Sequence, residues 1–397
     1  MSIVTLKIIF FTSLFIVFYA YLGYGILLFI LIRIKNFFFK KENKFDYEFL
    51  PEVTFMVAAF NEEVCINEKI KNSFEFEYPK NKIKFFFVTD GSNDRTPDIV
   101  KNYPNPEGFD LQLFHQPERK GKIAAVERVM KFVKTPFIIF SDANTTVNPK
   151  AIKNIVRHYK NEKVGAVAGE KRISLDDLGA ANEAGENLYW KYENNLKKWD
   201  SEFHSVIGAA GELFSIRTEL FHPMPSDTII EDFVMTMRIA SKGYKVVYEP
   251  KARALETASA SVQEELKRKI RIAAGGIQAI GRLSSILLPF KNPVLTFQYI
   301  SHRVLRWTLA PLALPFLLII NIYLAIQGEY LFNAILFCQI TFYFMAFLGY
   351  ILEKQKLKFK AFFVPYYFCV MNYAMYKGFF RFIGGKQSVL WERAKRG

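Results

Sequence analysis

From Ile8 to Ile32 the sequence runs 25 residues without a charge. As a helix, such a run can cross a bilayer core of roughly 30 Å, and no other stretch restricts the fold so strongly. It is too long for a signal-peptide core, and no small-residue cleavage site follows it. It therefore reads as a retained transmembrane helix, placed within residues 1–34. Arg33, Lys35, Lys40, Lys41 and Lys44 follow it, while Lys7 alone precedes it. Positive-inside bias then puts Met1 outside and the main domain in the cytosol, as expected for a multi-pass protein of the cell (inner) membrane.

The chain returns to apolar sequence late. Leu309–Ile326 and Leu331–Leu352 are both apolar enough to cross, with only Gln327-Gly328-Glu329-Tyr330 between them. They predict a transmembrane hairpin over 309–352. The preceding stretch, 283–308, mixes apolar residues with Lys291, His302, Arg303 and Arg306, and Pro289 and Pro293 interrupt it; an interfacial segment is expected. Ala361–Met375 is short, carries Pro365 and Asn372, and has basic residues on both sides. It predicts an interfacial or re-entrant segment, with 353–397 ending in a basic cytosolic tail.

Composition fits this division. The chain is 51% hydrophobic and 23% charged, so the two classes are segregated. The net charge of +15 raises the question of nucleic acid. Its basic residues cluster beside the apolar runs, however, where anionic headgroups account for them, and no nucleic-acid partner is expected. Cys65, Cys338 and Cys369 are far apart and form neither a disulfide framework nor a zinc spacing. The five histidines show no metal-ligand spacing.

Between residues 45 and 282 strand and helix signals alternate. Val53–Ala59, Lys84–Asp90, Leu111–His115, Phe137–Asp142 and Val164–Glu170 read as strands, with helical stretches over Glu62–Phe74, Lys122–Val133 and Lys150–Tyr159. Leu213–Ile216 and Val246–Tyr248 add short strands. This alternation predicts an α/β domain: a mostly parallel sheet with helices on both faces. In such sheets ligands gather at the carboxyl edge.

Five places at that edge carry chemistry. Phe137–Asn144 reads Phe-Ile-Ile-Phe-Ser-Asp-Ala-Asn: a buried strand ending in Asp142, with Asn144 on the same side of the chain. Oxygen ligands so spaced suit Mg²⁺ or Mn²⁺ bridging to phosphates. The first strand leads into Ala59-Phe60-Asn61-Glu62, where Phe60 offers a stacking face, Glu62 an acceptor, and Asn61 a helix cap. Asp90-Gly91-Ser92-Asn93-Asp94 ends the second strand; Asp90 can accept from a base or ribose, and Asp94 can cap the next helix. Arg119-Lys120-Gly121-Lys122 opens a helix whose free N–H groups suit a diphosphate. Glu231-Asp232 opens another, whose dipole is expected to keep both carboxylates ionised and Asp232 ready as a general base. Each place read alone is equally a capped turn or a solvated basic turn.

Taken together, Ala-Phe-Asn-Glu, Asp-Gly-Ser-x-Asp, Gly-Lys, Asp-Ala-Asn and Glu-Asp resemble the membrane-embedded glycosyltransferases of family 2, the chitin, cellulose, hyaluronan and poly-N-acetylglucosamine synthases. The closing Gly385-Lys386-Gln387-Ser388-Val389-x-Trp391-Glu392 is similar to theirs as well. The resemblance implies a GT-A-like fold flanked by transmembrane helices, a nucleotide-sugar donor (UDP-sugar), a divalent metal, and a glycan or lipid-linked acceptor. It implies inverting transfer that extends a polysaccharide or glycan, or adds one sugar to a lipid-linked acceptor; a non-catalytic scaffold is the reading from another class. Phe60, Glu62, Asp90, Lys122 and Asp142 would bind the donor, Asp142 and Asn144 the metal, and Asp232 would be the catalytic base. Gly208, Gly211, Glu231, Arg268 and Arg271 would line the acceptor or phosphate side. The family's Q-x-x-R-W motif stands here as Arg268-Lys269-Ile270-Arg271-Ile272, without its Gln and Trp. Three spans are also few for a translocation channel, which would call for a homo-oligomer.

Overall fold

The computed structural model describes residues 2–39, 48–174, 180–257, 261–355 and 360–385, and over 180–188 and at 360 the backbone alone. Among the described residues one sheet holds eight strands: β1 (Val53–Ala59), β2 (Ile83–Asp90), β3 (Asp110–Gln116), β4 (Phe137–Asp142), β5 (Thr145–Val147), β6 (Val164–Ser174), β7 (Leu213–Arg217) and β8 (Lys245–Thr257). Their spatial order is β3-β2-β1-β4-β7-β6-β8-β5. β3, β2, β1 and β4 are mutually parallel, as are β6 and β8. β7 runs antiparallel between β4 and β6, and β5 antiparallel to β8. The sheet is therefore parallel in its first half and mixed in its second.

Strand sequence explains the two-sided burial. β1, Val-Thr-Phe-Met-Val-Ala-Ala, is buried throughout, as a central parallel strand must be. Met56, Phe86, Val88, Ile138 and Phe140 point into one apolar cluster, with helices Lys122–Met130 and Glu231–Ser241. Phe55, Val57, Phe85, Phe87 and Ile139 point into the other, with helix Ile66–Phe74. The two-residue period divides the strands between these cores. Burying each of these large side chains contributes roughly 1.5–3 kcal/mol.

Three elements differ from expectation. β8 extends well beyond Val246–Tyr248, because β6 offers it a partner edge as far as Ser174 across an irregularity at Gly169/Glu170. The basic helix that carries Arg268 and Arg271, expected from the sequence over Glu264–Gly276, is longer, spanning Val262–Arg282, and Ser261 caps its start by accepting from Glu264 N. Lys360–Ile383 is one continuous helix, so the chain does not turn back within it as a re-entrant segment would. It packs on helices Val262–Arg282 and Tyr330–Lys354.

Among the described residues, three helices are long and apolar enough to cross a membrane: Ile3–Phe38, Leu309–Ile326 and Tyr330–Lys354. The first contains a π turn at Tyr19–Gly23. Between helix Val262–Arg282 and Leu309 the chain is helical over Pro293–Tyr299, Ile300–Val304 and Leu305–Trp307. Lys40, Lys41 and Lys44, and the closing stretch from Lys386 to Glu392, lie outside the described residues.

Candidate functional site

The loops leaving β1 and β2 are tied to each other. Asn61 adopts a left-handed backbone (φ 54°) and does not cap a helix, which starts only at Ile66. Its side chain instead exchanges hydrogen bonds with Asn93, through Nδ2 to Asn93 Oδ1 (2.7 Å) and from Asn93 N to its own Oδ1 (3.0 Å). Asp94 accepts from Thr96 N at 2.9 Å, a local turn bond, while Arg95 and not Asp94 holds the N-cap position of helix Thr96–Lys101. Phe60 is not a bare stacking face: the Arg119 guanidinium lies 3.6 Å over its ring. Glu62 accepts from Cys65 Sγ at 3.1 Å.

Asp90, at the end of β2, is buried. Its Oδ2 accepts the backbone N–H groups of Lys120 (3.0 Å) and Gly121 (2.6 Å). These amides precede helix Lys122–Met130, so Asp90 anchors the turn that leads into it and not the N–H groups of its first turn. The other oxygen, Oδ1, is buried without a hydrogen-bond partner among the described residues, and Arg128 Nη1 stands 3.9 Å from it.

Lys122 reaches across the sheet edge. Its Nζ pairs with Asp142 Oδ1 at 2.8 Å and Glu231 Oε1 at 2.9 Å, so one cation joins β4 to helix Glu231–Ser241. Gly211 lies directly beneath. A β-carbon there would sit 3.3 Å from Lys122 Nζ, 3.5 Å from Asp232 Oδ2 and 3.6 Å from Asp142 Oδ2. Three functional groups therefore converge on a backbone that has no side chain to fill the space. Gly208 has φ +81°, and a β-carbon on it would overlap the Phe233 ring. Only glycine lets this loop lie flat on the turn carrying Asp232.

The two acidic neighbours hold their protons differently. Burial would raise Glu231, but the Lys122 charge and hydrogen bond bring it below the usual carboxylate range. Burial and the Glu231 charge push Asp232 up to about 7. The expectation that the helix start keeps both ionised thus fails for Asp232, where desolvation and a like charge outweigh the dipole. Lys122 itself, despite its burial, is held charged by Asp142 and Glu231.

Arg268 donates to Glu256 Oε2 at 3.3 Å and lies 3.5 Å from Glu265, so it is held by carboxylates. Arg271 borders the cleft, and its charge helps lower Glu231. Sequence reasoning did not single out Lys171, which is buried between Glu212 (2.5 Å) and Glu256. The available signal was the run Glu170-Lys171-Arg172 inside a strand, where an inward-pointing charge requires partners. Trp307 was also missed. It borders the cleft, packs over Gly276 and meets the Phe233 ring edge-on at 5.2 Å. A tryptophan thus reaches the cleft from a segment other than the one carrying Arg271.

Glu62, Lys122, Asp142, Asn144, Gly211, Glu231, Asp232, Arg268 and Arg271 line a cavity of about 1580 Å³, whereas Phe60, Asp90 and Gly208 are not among its lining residues. Among the described residues no cluster of three or more His, Cys, Asp or Glu side chains is arranged to hold a metal. Asp142 and Asn144 offer two oxygen donors, which fits a hard cation that takes its remaining ligands from phosphate and water.

Residues 54–223 match the model of the family described as Glycosyl transferase family 2. The chain carries a glycosyltransferase family 2 domain. It is similar to the probable glycosyltransferase YdaM of Bacillus subtilis (strain 168), with 28% identity over 217 residues, 51% of this chain and 50% of that one. It is also similar to the poly-beta-1,6-N-acetyl-D-glucosamine synthase of Staphylococcus aureus (strain COL), with 24% identity over 263 residues, 62% of this chain and 61% of that one. The chain thus spans half to three-fifths of the length of these curated relatives. Among solved structures, the mannosyltransferase PcManGT from Pyrobaculum calidifontis, in complex with GDP-Man and Mn²⁺, superposes with a TM-score of 0.73 at 22% identity, covering 96% of this chain and 99% of that one. The transferase domain and its flanking helices share that fold, which is GT-A-like.

Proposed function

We propose that this protein is a membrane-bound, inverting glycosyltransferase that moves a hexosyl or N-acetylhexosaminyl group from a nucleotide sugar to an acceptor hydroxyl. The observation that carries this reading is the convergence of Lys122, Asp142 and Asp232 on Gly211, with Asp232 pushed up to about 7. A carboxylate so poised is suited to general-base work near neutral pH. The likeness to a poly-N-acetylglucosamine synthase supports a glycan acceptor, and the fold of a transferase holding GDP-Man and Mn²⁺ supports a nucleotide sugar and a divalent metal. We expect a UDP-sugar, with Asp90 Oδ1 as acceptor for a base N–H.

In this reading Asp232 takes the proton of the acceptor hydroxyl as its oxygen bonds to the anomeric carbon. The bond to the nucleoside diphosphate breaks on the opposite face, so the configuration inverts. Lys122 sits where charge grows on the leaving diphosphate, and Glu231 keeps Lys122 charged while raising the basicity of Asp232. Asp142 and Asn144 would hold Mg²⁺ or Mn²⁺, which when bound draws charge from the leaving group.

The test is release of UDP by purified protein with Mn²⁺ across a panel of UDP-sugars, with mass analysis of products. Asp232→Asn should lower transfer about 100-fold or more while donor binding persists. Transfer surviving within about tenfold would remove Asp232 from the base role.

A further inference from the structure

A lysine lies buried beneath the turn that carries Asp142 and Asn144. Helix Ile66–Phe74 buries Ile66, Ile70 and Ser73 at helical spacing, and Lys69 falls on the same stripe with 3% of its surface exposed. A charge so placed needs partners. Its Nζ is 2.7 Å from Ser141 Oγ, 2.8 Å from Thr145 O and 3.1 Å from Thr145 Oγ1, and all of these are neutral oxygens. We propose that Lys69 is a positioning residue, which fixes the Asp142-Ala143-Asn144 turn from inside the domain so that both side-chain oxygens are held ready for one divalent cation. This rests on the transferase reading above, in which Asp142 and Asn144 hold the metal, and names the residue that orients them.

The bonds bracket the tripeptide. Ser141 precedes it on β4 and Thr145 follows it on β5, so one ammonium closes the turn at both ends. An ammonium carries three protons and no lone pair, so each of these contacts is a donation. The hydroxyl protons are thereby turned outward: Ser141 Oγ donates to Glu212 O at 3.0 Å, and Thr145 Oγ1 donates to Asp142 O at 2.9 Å. The first bond ties the turn to the residue after Gly211, on which Lys122, Asp142 and Asp232 converge. The second fixes the carbonyl of Asp142 itself. From the same helix Asn72 Nδ2 donates to Val147 O at 2.9 Å, and its Oδ1 accepts from Val147 N at 2.8 Å. β5 is short and pairs with β8 alone, so the helix supplies a hold that the ladder lacks.

The chemistry of the site makes such a hold matter. One carboxylate and one amide oxygen give a cation little charge, so its binding depends on both donors standing at the right angle. An apolar side chain at position 69 would fill the stripe without the cost of burying a charge. Burial pulls Lys69 down to about 7, against the charge of Asp142, so at pH 6 the ammonium is the prevailing form. The bonds that offset this burial all go to the residues flanking the tripeptide. Lys69 touches neither metal ligand through a side-chain bond of its own; it acts through Ser141 and Thr145.

The test uses the full chain in phosphatidylcholine nanodiscs at pH 6. UDP binding is measured by calorimetry across a Mn²⁺ titration, which yields the Mn²⁺ concentration for half of the binding and the UDP affinity at saturating Mn²⁺. Lys69→Met keeps the stripe filled and removes the ammonium. It should raise the half-saturating Mn²⁺ at least about tenfold and leave UDP affinity at saturating Mn²⁺ within about threefold. Thr145→Val removes only the hydroxyl between Lys69 and Asp142 O, and should raise the half-saturating Mn²⁺ about threefold, which decides the matter if Lys69→Met does not fold. In the double variant the two effects should not add, because both act through one chain of bonds. An unchanged Mn²⁺ requirement would overturn the inference. A lowered requirement would too, since Lys69 would then act only as a repelling charge, and so would equal loss of UDP at saturating Mn²⁺, the mark of general loosening. Wild-type UDP binding that ignores Mn²⁺ removes this inference together with the metal, while turnover of a UDP-sugar would still uphold the transferase reading. The expected Mn²⁺ shifts in a chain that turns over no nucleotide sugar would uphold Lys69 and sink the transferase reading.

Discussion

Glu231 and Asp232 are adjacent on one helical turn, yet Lys122 pairs with the first and leaves the second to carry the cost of burial. Activity that needs Asp232 ionised should therefore rise with pH through about 7. Glu231→Gln removes the like charge, so the rising limb should move to lower pH; a pH–rate profile that stays in place or moves upward would detach Asp232 from that limb. The same shift bears on stability. Folding raises this carboxyl from its ordinary 3.8 to about 7, so it holds a proton in the folded state that the unfolded chain has lost. Its contribution to stability fades as pH rises across that window. Gly208 is a separate residue-scale constraint. Gly208→Ala must accommodate both a positive φ and overlap with the Phe233 ring. It should cost at least about 2 kcal/mol, read as a lowered thermal unfolding midpoint, and displace the turn bearing Asp232.

At the scale of elements, the long β6–β8 pair brings Lys171 to Glu256, and β7 brings Glu212 to the same ammonium. Lys171→Met would leave two buried carboxylates facing each other, with Arg268 beside Glu256. The expected loss is about 3–5 kcal/mol, and denaturant unfolding that shows no loss would mean that the carboxylates find other partners. This network also marks the limit of what the sequence discloses. The parallel strands were legible because Phe85-Phe86-Phe87-Val88 and Phe137–Phe140 are unbroken apolar runs, and the residues closing those strands, Asp90 and Asp142, were legible as edge groups. The extension of β8 was not. Residues 249–257 mix Glu, Pro, Lys and Arg with small apolar residues, and only pairing with β6 makes them a strand. Likewise Lys122 was legible as a basic helix start, but its bridge joins Asp142 and Glu231, which lie on separate elements far apart in the chain, a relation that no local spacing encodes.

At the scale of the whole molecule, the ends of helix Ile3–Phe38 are held by different partners. At one end Lys7 pairs with Glu329 at 2.6 Å and Phe10 meets Phe332 at 5.2 Å, joining the start of the helix to the turn between Leu309–Ile326 and Tyr330–Lys354. At the other, Lys35 donates to Phe203 O at 2.6 Å, and Tyr24 bonds Asp200, which fastens the helix to the domain carrying Asp232. If the three apolar helices cross a bilayer, the 327–329 turn and Ser2 must share one side and the sheet must face the other. The positive-inside bias would then make the domain side the cytosol. In a chain whose Cys65, Cys338 and Cys369 are replaced, Ser2→Cys and Gln327→Cys should react with a membrane-impermeant maleimide on intact cells. Lys101→Cys, exposed on helix Thr96–Lys101, should react only after permeabilisation. Labelling of Lys101→Cys from outside, or opposite labelling of the first two sites, would break the topology. Labelling of Lys101→Cys from outside would also put Asp232 out of reach of a cytosolic nucleotide sugar, so that arm bears on the donor as directly as on the fold.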